Sequence, residues 1–122
     1  MNMRKIGLTA ALIAIGVAAL PALAGASGGT AAKVSIQAQQ GGFFGYVHSS
    51  KQSCESGRRV VLFKQKGDTQ RRRIDTKIGT DIAQPNGPDS MWSINTKRRG
   101  DFYAYVSKTS NCKGAYSKTI SN

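Results

Sequence analysis

From residue 34 onward, apolar side chains recur at every second position in short runs, and nothing in this stretch repeats with helical spacing. Period-2 alternation puts one face of a strand toward a core and the other toward solvent. The runs are VSIQAQ (34–39), FFGYVHS (43–49), RVVLFK (59–64), a run ending KIGTDIA (77–83), MWSINT (91–96), DFYAYVS (101–107) and AYSKTI (115–120). Gly, Asn, Pro, Ser and basic residues separate them. In the second run Phe43, Gly45 and Val47 share one face, opposite Phe44, Tyr46 and His48. Val60 and Leu62 share a face in the third. Phe102, Ala104 and Val106 oppose Tyr103 and Tyr105 in the sixth. Such spacing predicts an all-β fold, a single sandwich or barrel built from about seven strands.

The chain has 122 residues, enough for one domain. Its start is of different character. Arg4 and Lys5 precede an uncharged apolar run, Ile6 to Leu20, then Pro21 and the small residues ALAGA. Charged start, apolar middle and small-residue end are the parts of a secretory signal peptide. The run is shorter than the roughly 20 residues a spanning helix needs, so no membrane span is expected after signal removal. Cleavage after Ala24 or Ala26 fits the pattern. The expected organisation is a signal helix over 1–26, a linker and possible first strand over 27–40, and the sandwich over 41–122. The expected location is secreted, either extracellular or periplasmic.

A domain of this size buries only about 60–65% of its unfolded surface, so a covalent tie would help. Cys54 and Cys112 are the only cysteines and both lie in the exported part. An even count in an exported chain reads as a disulfide. Two cysteines and one histidine are too few for a zinc site, and no C-x-x-C occurs.

Without Arg4 and Lys5, 16 basic residues face six acidic ones, a net charge of +10. Such an excess attracts acidic polymers and anionic surfaces. If successive strands alternate in direction, alternate loops share an end. The loops carrying Cys54 and Cys112 then fall together, and Arg71, Arg72 and Arg73 fall at the same end as Lys97, Arg98 and Arg99. Arginine predominates there and pairs bidentately with phosphate, sulfate and carboxylate. These six residues are the candidate anion-binding site, with an acidic polysaccharide, cell-surface polymer or nucleic acid as partner. No sequence-specific nucleic-acid recognition is expected. Anion binding is the alternative reading; the first is a secreted, non-catalytic module with a structural or adhesion-type role, whose charges only keep a β-protein soluble and guard its edges.

Catalytic constellations are missing. His48 is the only histidine, beside Ser49 and Ser50 but without G-x-S-x-G. Glu55 is the only glutamate, and the aspartates are scattered singly. Asp81 and Asp89 could share one end, but calcium takes six or more oxygens, and turn capping suits them better. No phosphate-binding glycine loop occurs. No cofactor, metal or enzymatic activity is expected. Trp92 and Phe102 are expected in the core. Tyr103 and Tyr105, on the opposite face, are expected at an exposed surface.

The order Gly45-x-Val47, Val60-x-Leu62, Thr80-Asp81, Gly87 before Trp92, then Gly100, Phe102, Tyr103, Ala104 and Val106 resembles the transthyretin-like group. It is closer to the carboxypeptidase regulatory-like domain, a prealbumin-type sandwich. The layout is also similar to small secreted bacterial proteins of unknown function. The resemblance covers roughly residues 43 to 107 and implies a seven-stranded Greek-key module with a structural or adhesion-type role. The PNGPDS turn, the basic excess and the cysteine pair depart from that pattern. The histidine and arginine clusters of the group's urate-breakdown enzymes have no counterpart.

Overall fold

The structure, a computed structural model, describes residues 29–122. The signal segment expected over 1–26 and its expected cleavage sites lie outside the described residues. Among the described residues, ten short strands form two antiparallel sheets. They are β1 (Ala32–Val34), β2 (Gln37–Gln39), β3 (Gly42–Ser49), β4 (Arg59–Gln65), β5 (Thr76–Ile82), β6 (Gln84–Asn86), β7 (Asp89–Asn95), β8 (Asp101–Val106), β9 (Ala115–Tyr116) and β10 (Ile120–Ser121). One sheet runs β9-β8-β4-β5, with β10 also on β8; the other runs β1-β3-β7-β6, with β2 also on β3.

One edge of each sheet is a strand interrupted at a serine, β1 and β2 at Ser35 and β9 and β10 at Ser117. In the first, the Ser35 N–H donates to Tyr46 O, and the Ser35 hydroxyl accepts the Tyr46 N–H at 2.9 Å. In the other, the Ser117 hydroxyl accepts the Ala104 N–H at 2.8 Å while the Ser117 N–H bonds Ala104 O. A side chain thus stands in for a ladder carbonyl. The interruption blunts each edge as a template for further pairing.

β5 and β6 are one run that changes sheets at the buried Ala83. Ala83 is held on both sides by Arg58 O and the Gly57 N–H. With each broken edge and this crossing run counted once, the chain makes seven runs, in the order of an immunoglobulin-type Greek key. The possible first strand expected before residue 41 is present as β1 and β2.

Phe43, Val47 and Trp92 from one sheet meet Val60, Leu62, Phe102 and Val106 from the other, all fully buried. Phe43 and Phe102 pack with ring centroids 4.6 Å apart. Trp92 fits because its cross-strand partner is Gly45. The space above Gly45 lets the indole N–H reach Ser35 O at 3.1 Å. A Cβ on Gly45 would lie 1.9 Å from that same carbonyl oxygen.

Cys54 and Cys112 are bonded, with Cα atoms 5.6 Å apart and a sequence separation of 58. Closing such a loop contributes about 4 kcal/mol in the chain-entropy view. Arg58 strengthens this end. It is 2% exposed, and its guanidinium donates to Cys54 O at 2.7 Å, Ser107 O at 2.8 Å and Lys113 O at 2.9 Å. Burial pushes its pKa down from the ordinary value, opposed by Tyr105. Arg58 thereby joins the two cysteine-bearing loops through their carbonyls. Among the described residues no helix is long and apolar enough to cross a membrane.

Candidate functional site

The strand β4 reads RVVLFKQ, and four consecutive residues, Val60 to Phe63, are buried. Val60 and Leu62 face the inter-sheet core. Val61 and Phe63 face outward and need a cover of their own. The connection from Lys66 to Asp75 supplies it. It folds back across the outer face of β8 and β4, making a second cluster of Val61, Phe63 and Tyr103. Phe63 and Tyr103 stack at 5.4 Å.

Tyr103 is therefore not at an exposed surface, as its position opposite Phe102 suggested; it is 0% exposed. Alternation locates the face of a strand and says nothing about a loop that returns over it. Tyr105 is half-buried at the margin of the same cluster. Trp92 and Phe102 lie in the core as expected.

Asp75 pins the covering loop. One carboxylate oxygen accepts the Tyr103 hydroxyl at 2.7 Å and the Arg71 N–H at 2.7 Å; the other accepts the Lys66 N–H at 3.0 Å. Burial would raise the Asp75 pKa, but these hydrogen bonds outweigh it and hold the carboxyl below its ordinary range. Tyr103 is shifted the other way, first by burial and then by its bond to the Asp75 carboxylate. Gln70 adds a second anchor, donating to Ser117 O at 2.8 Å and Thr119 Oγ1 at 2.9 Å.

Held in this way, the loop presents Arg71, Arg72 and Arg73 to solvent. Arg72 lies over the Tyr105 ring, 4.2 Å from its centroid, and its Nε donates to the Tyr116 hydroxyl at 2.9 Å. Those contacts orient the guanidinium and leave both terminal nitrogens without a protein hydrogen bond among the described residues. The Tyr116 hydroxyl raises the Arg72 pKa further, against a small desolvation effect. The three arginines, Ile74 and Tyr116 line a shallow hollow of about 420 Å³. Ile74 and Tyr116 are each 47% exposed, so the hollow has an apolar floor beneath a cationic rim.

The other basic run lies at the same end by strand register, because Lys64 pairs with Phe102 and Gln65 with Asp101. Lys97, Arg98 and Arg99 are all exposed in the turn before β8. The Lys64 side chain crosses Gly100, where any Cβ would meet it at 3.0 Å. Yet the two runs address different neighbours. Arg72 sits over Tyr105, four residues into β8 and about 13 Å along the strand. Lys97 and Arg99 border a separate hollow with Gln39, Gln40 and Asn122.

Among the described residues no carboxylate lies within ion-pair distance of either run, although Asp68 is exposed in the arginine loop itself. Asp75 is occupied as described, and Asp81 accepts the Ile82 and Ser93 N–H groups. Asp101 accepts the Ser121 hydroxyl, Glu55 the Ser49 N–H, and Asp89 the His48 ring. Among the described residues the only carboxylate ion pairs involve His48; no lysine or arginine takes part in one. Asp89 is thus not a turn cap, and its contact with His48 is a pairing that sequence reasoning missed. Only the β3–β7 register brings the two together.

No family model, curated protein or solved structure matches this chain. The resemblance to carboxypeptidase regulatory-like domains rests on the motifs quoted above alone.

Proposed function

We propose that this is a secreted, non-catalytic module that attaches to anionic polymers, acidic polysaccharide or cell-surface polymer above all, through the Arg71–Arg73 surface. The observation that carries the reading is the oriented, unpaired Arg72 guanidinium between two further arginines. Tyrosine stacking holds it with two donors free, the arrangement that bidentate recognition of a sulfate, phosphate or carboxylate requires. A solubilising charge has no need of a fixed orientation. The Lys97–Arg99 turn and Lys64 extend the positive field at the same end, which suits a ligand longer than one anionic group. The adhesion-type role implied by the family resemblance is compatible with this.

The test is binding to a heparin-like polysaccharide across a salt series, using protein exported from the full chain and oxidised. DNA and anionic vesicles serve as parallel arms. Changing Arg71, Arg72 and Arg73 to Ser is expected to abolish binding at physiological salt. Changing Lys51, Lys108 and Lys113, exposed residues near the cystine end, removes the same charge and is expected to weaken binding far less. Equal losses in the two triple variants mean that only net charge matters, and the proposed surface is then wrong.

A further inference from the structure

At the cystine end, three side chains from three separate elements converge. His48 lies near the end of β3 on its outward face, Asp89 begins the neighbouring strand β7, and Glu55 follows Cys54. The His48 Nδ1 lies 2.6 Å from Asp89 Oδ1 and 3.3 Å from Glu55 Oε2. One ligating atom from each residue lies within 4.8 Å of the other two.

We propose that His48, Glu55 and Asp89 bind a divalent first-row transition ion such as zinc. Bonds of about 2.0–2.2 Å from nitrogen and carboxylate oxygen place neighbouring ligand atoms roughly 3 Å apart or slightly more. The His48–Glu55 separation already has that value. The His48–Asp89 separation is that of a hydrogen bond and opens by roughly 0.7 Å when a metal replaces the shared proton. The imidazole proton leaves to solvent on binding, and the two carboxylates balance the ion's charge. Three protein ligands leave at least one position for water.

Charge placement supplies an independent reason. Glu55 is 8% exposed, and its Oε2 is fixed by the Ser49 N–H at 2.9 Å. A buried carboxylate beside a second carboxylate calls for a cation. Sixteen lysines and arginines follow the signal segment, yet among the described residues none is paired with either acid. The only side chain set between them is an imidazole, which is 62% exposed and open to an ion from solution. The adjoining disulfide and the Ser49 N–H hold Glu55 in place, so this ligand needs little ordering.

The experiment titrates Zn²⁺ into the oxidised protein, exported from the full chain, with calorimetry for stoichiometry. Nitrogen NMR of the only imidazole reports the site directly. The expected result is one saturable equivalent, a shift of the His48 Nδ1 resonance, and a higher melting temperature. His48→Gln and Asp89→Asn should each lower affinity at least tenfold, since even outer-shell changes cost roughly 10–100-fold. His48→Gln alters an exposed side chain and is expected to fold, and Asp101→Asn, distant from the site, should bind as the parent does. Absence of saturation below millimolar zinc, an unmoved Nδ1 resonance, or parental affinity in His48→Gln would each overturn the proposal.

Discussion

Replacing Asp75 with Asn separates two accounts of the arginine surface, because it removes a negative charge, raising the net positive charge, while loosening the loop that carries the arginines. The carboxylate accepts three hydrogen bonds, two on one oxygen and one on the other. An amide in its place keeps one acceptor. With that oxygen toward Tyr103 and Arg71, the amide NH₂ faces the Lys66 N–H, donor against donor. Bonds to a charged acceptor contribute about 1.5–3 kcal/mol and neutral ones about 0.5–1.5. Losing one and weakening two comes to about 3 kcal/mol, less where water reaches Lys66. A urea slope of about 1 kcal/mol/M converts this to a midpoint shift of roughly 3 M. Tyr103→Phe should lose part of the same energy, and the double variant should lose less than the sum of the two, since the side chains share a bond. The sign with pH follows from the lowered carboxyl pKa. The contribution is complete above the unfolded value, near 4, and disappears as pH falls through the lower folded value. The Asn variant should lack that acid-sensitive component. In polyanion binding at physiological salt, Asp75→Asn should be weaker than the parent despite its extra charge. Tighter binding by a destabilised Asn variant would refute the claim that loop geometry, rather than total charge, makes the grip. Strict additivity with Tyr103→Phe would refute the assigned hydrogen bond.

Two further outcomes test the frame around these sites. Arg58→Ala removes the donor shared by three carbonyls and is expected to destabilise by about 3–5 kcal/mol, a fall in melting temperature of more than about 12 °C; a change of only a few degrees would show that the loops hold without it. Gly45→Ala places a Cβ against Ser35 O and the Trp92 ring nitrogen, for which overpacking predicts about 1–3 kcal/mol. Trp92 is the only tryptophan, so its emission reports the site; unchanged emission with stability within about 0.5 kcal/mol of the parent would contradict the packing described.

Alternation in residues 34–120 was sufficient for the all-β class, the approximate strands and the inward faces. Those features depend on local periodicity, which the order of residues carries directly. Loop parity also brought Cys54 and Cys112 to one end, since alternating strand direction needs no knowledge of which strands pair. What a loop does after leaving its strand is not periodic. The return of residues 66–75 over Tyr103 was hinted at only by the unbroken apolar run Val60–Phe63, too hydrophobic for a strand with one solvated face. The meeting of His48 with Asp89 and Glu55 required the β3–β7 register and the position of the cystine loop. Neither leaves a mark in residues 41 positions apart. Composition alone set the charge excess. The tertiary structure decided which carboxylates were occupied by backbone and hydroxyl donors, and so which cations were left without partners. Pairing between distant residues is settled by packing and register, and these exist only once the sheets have assembled.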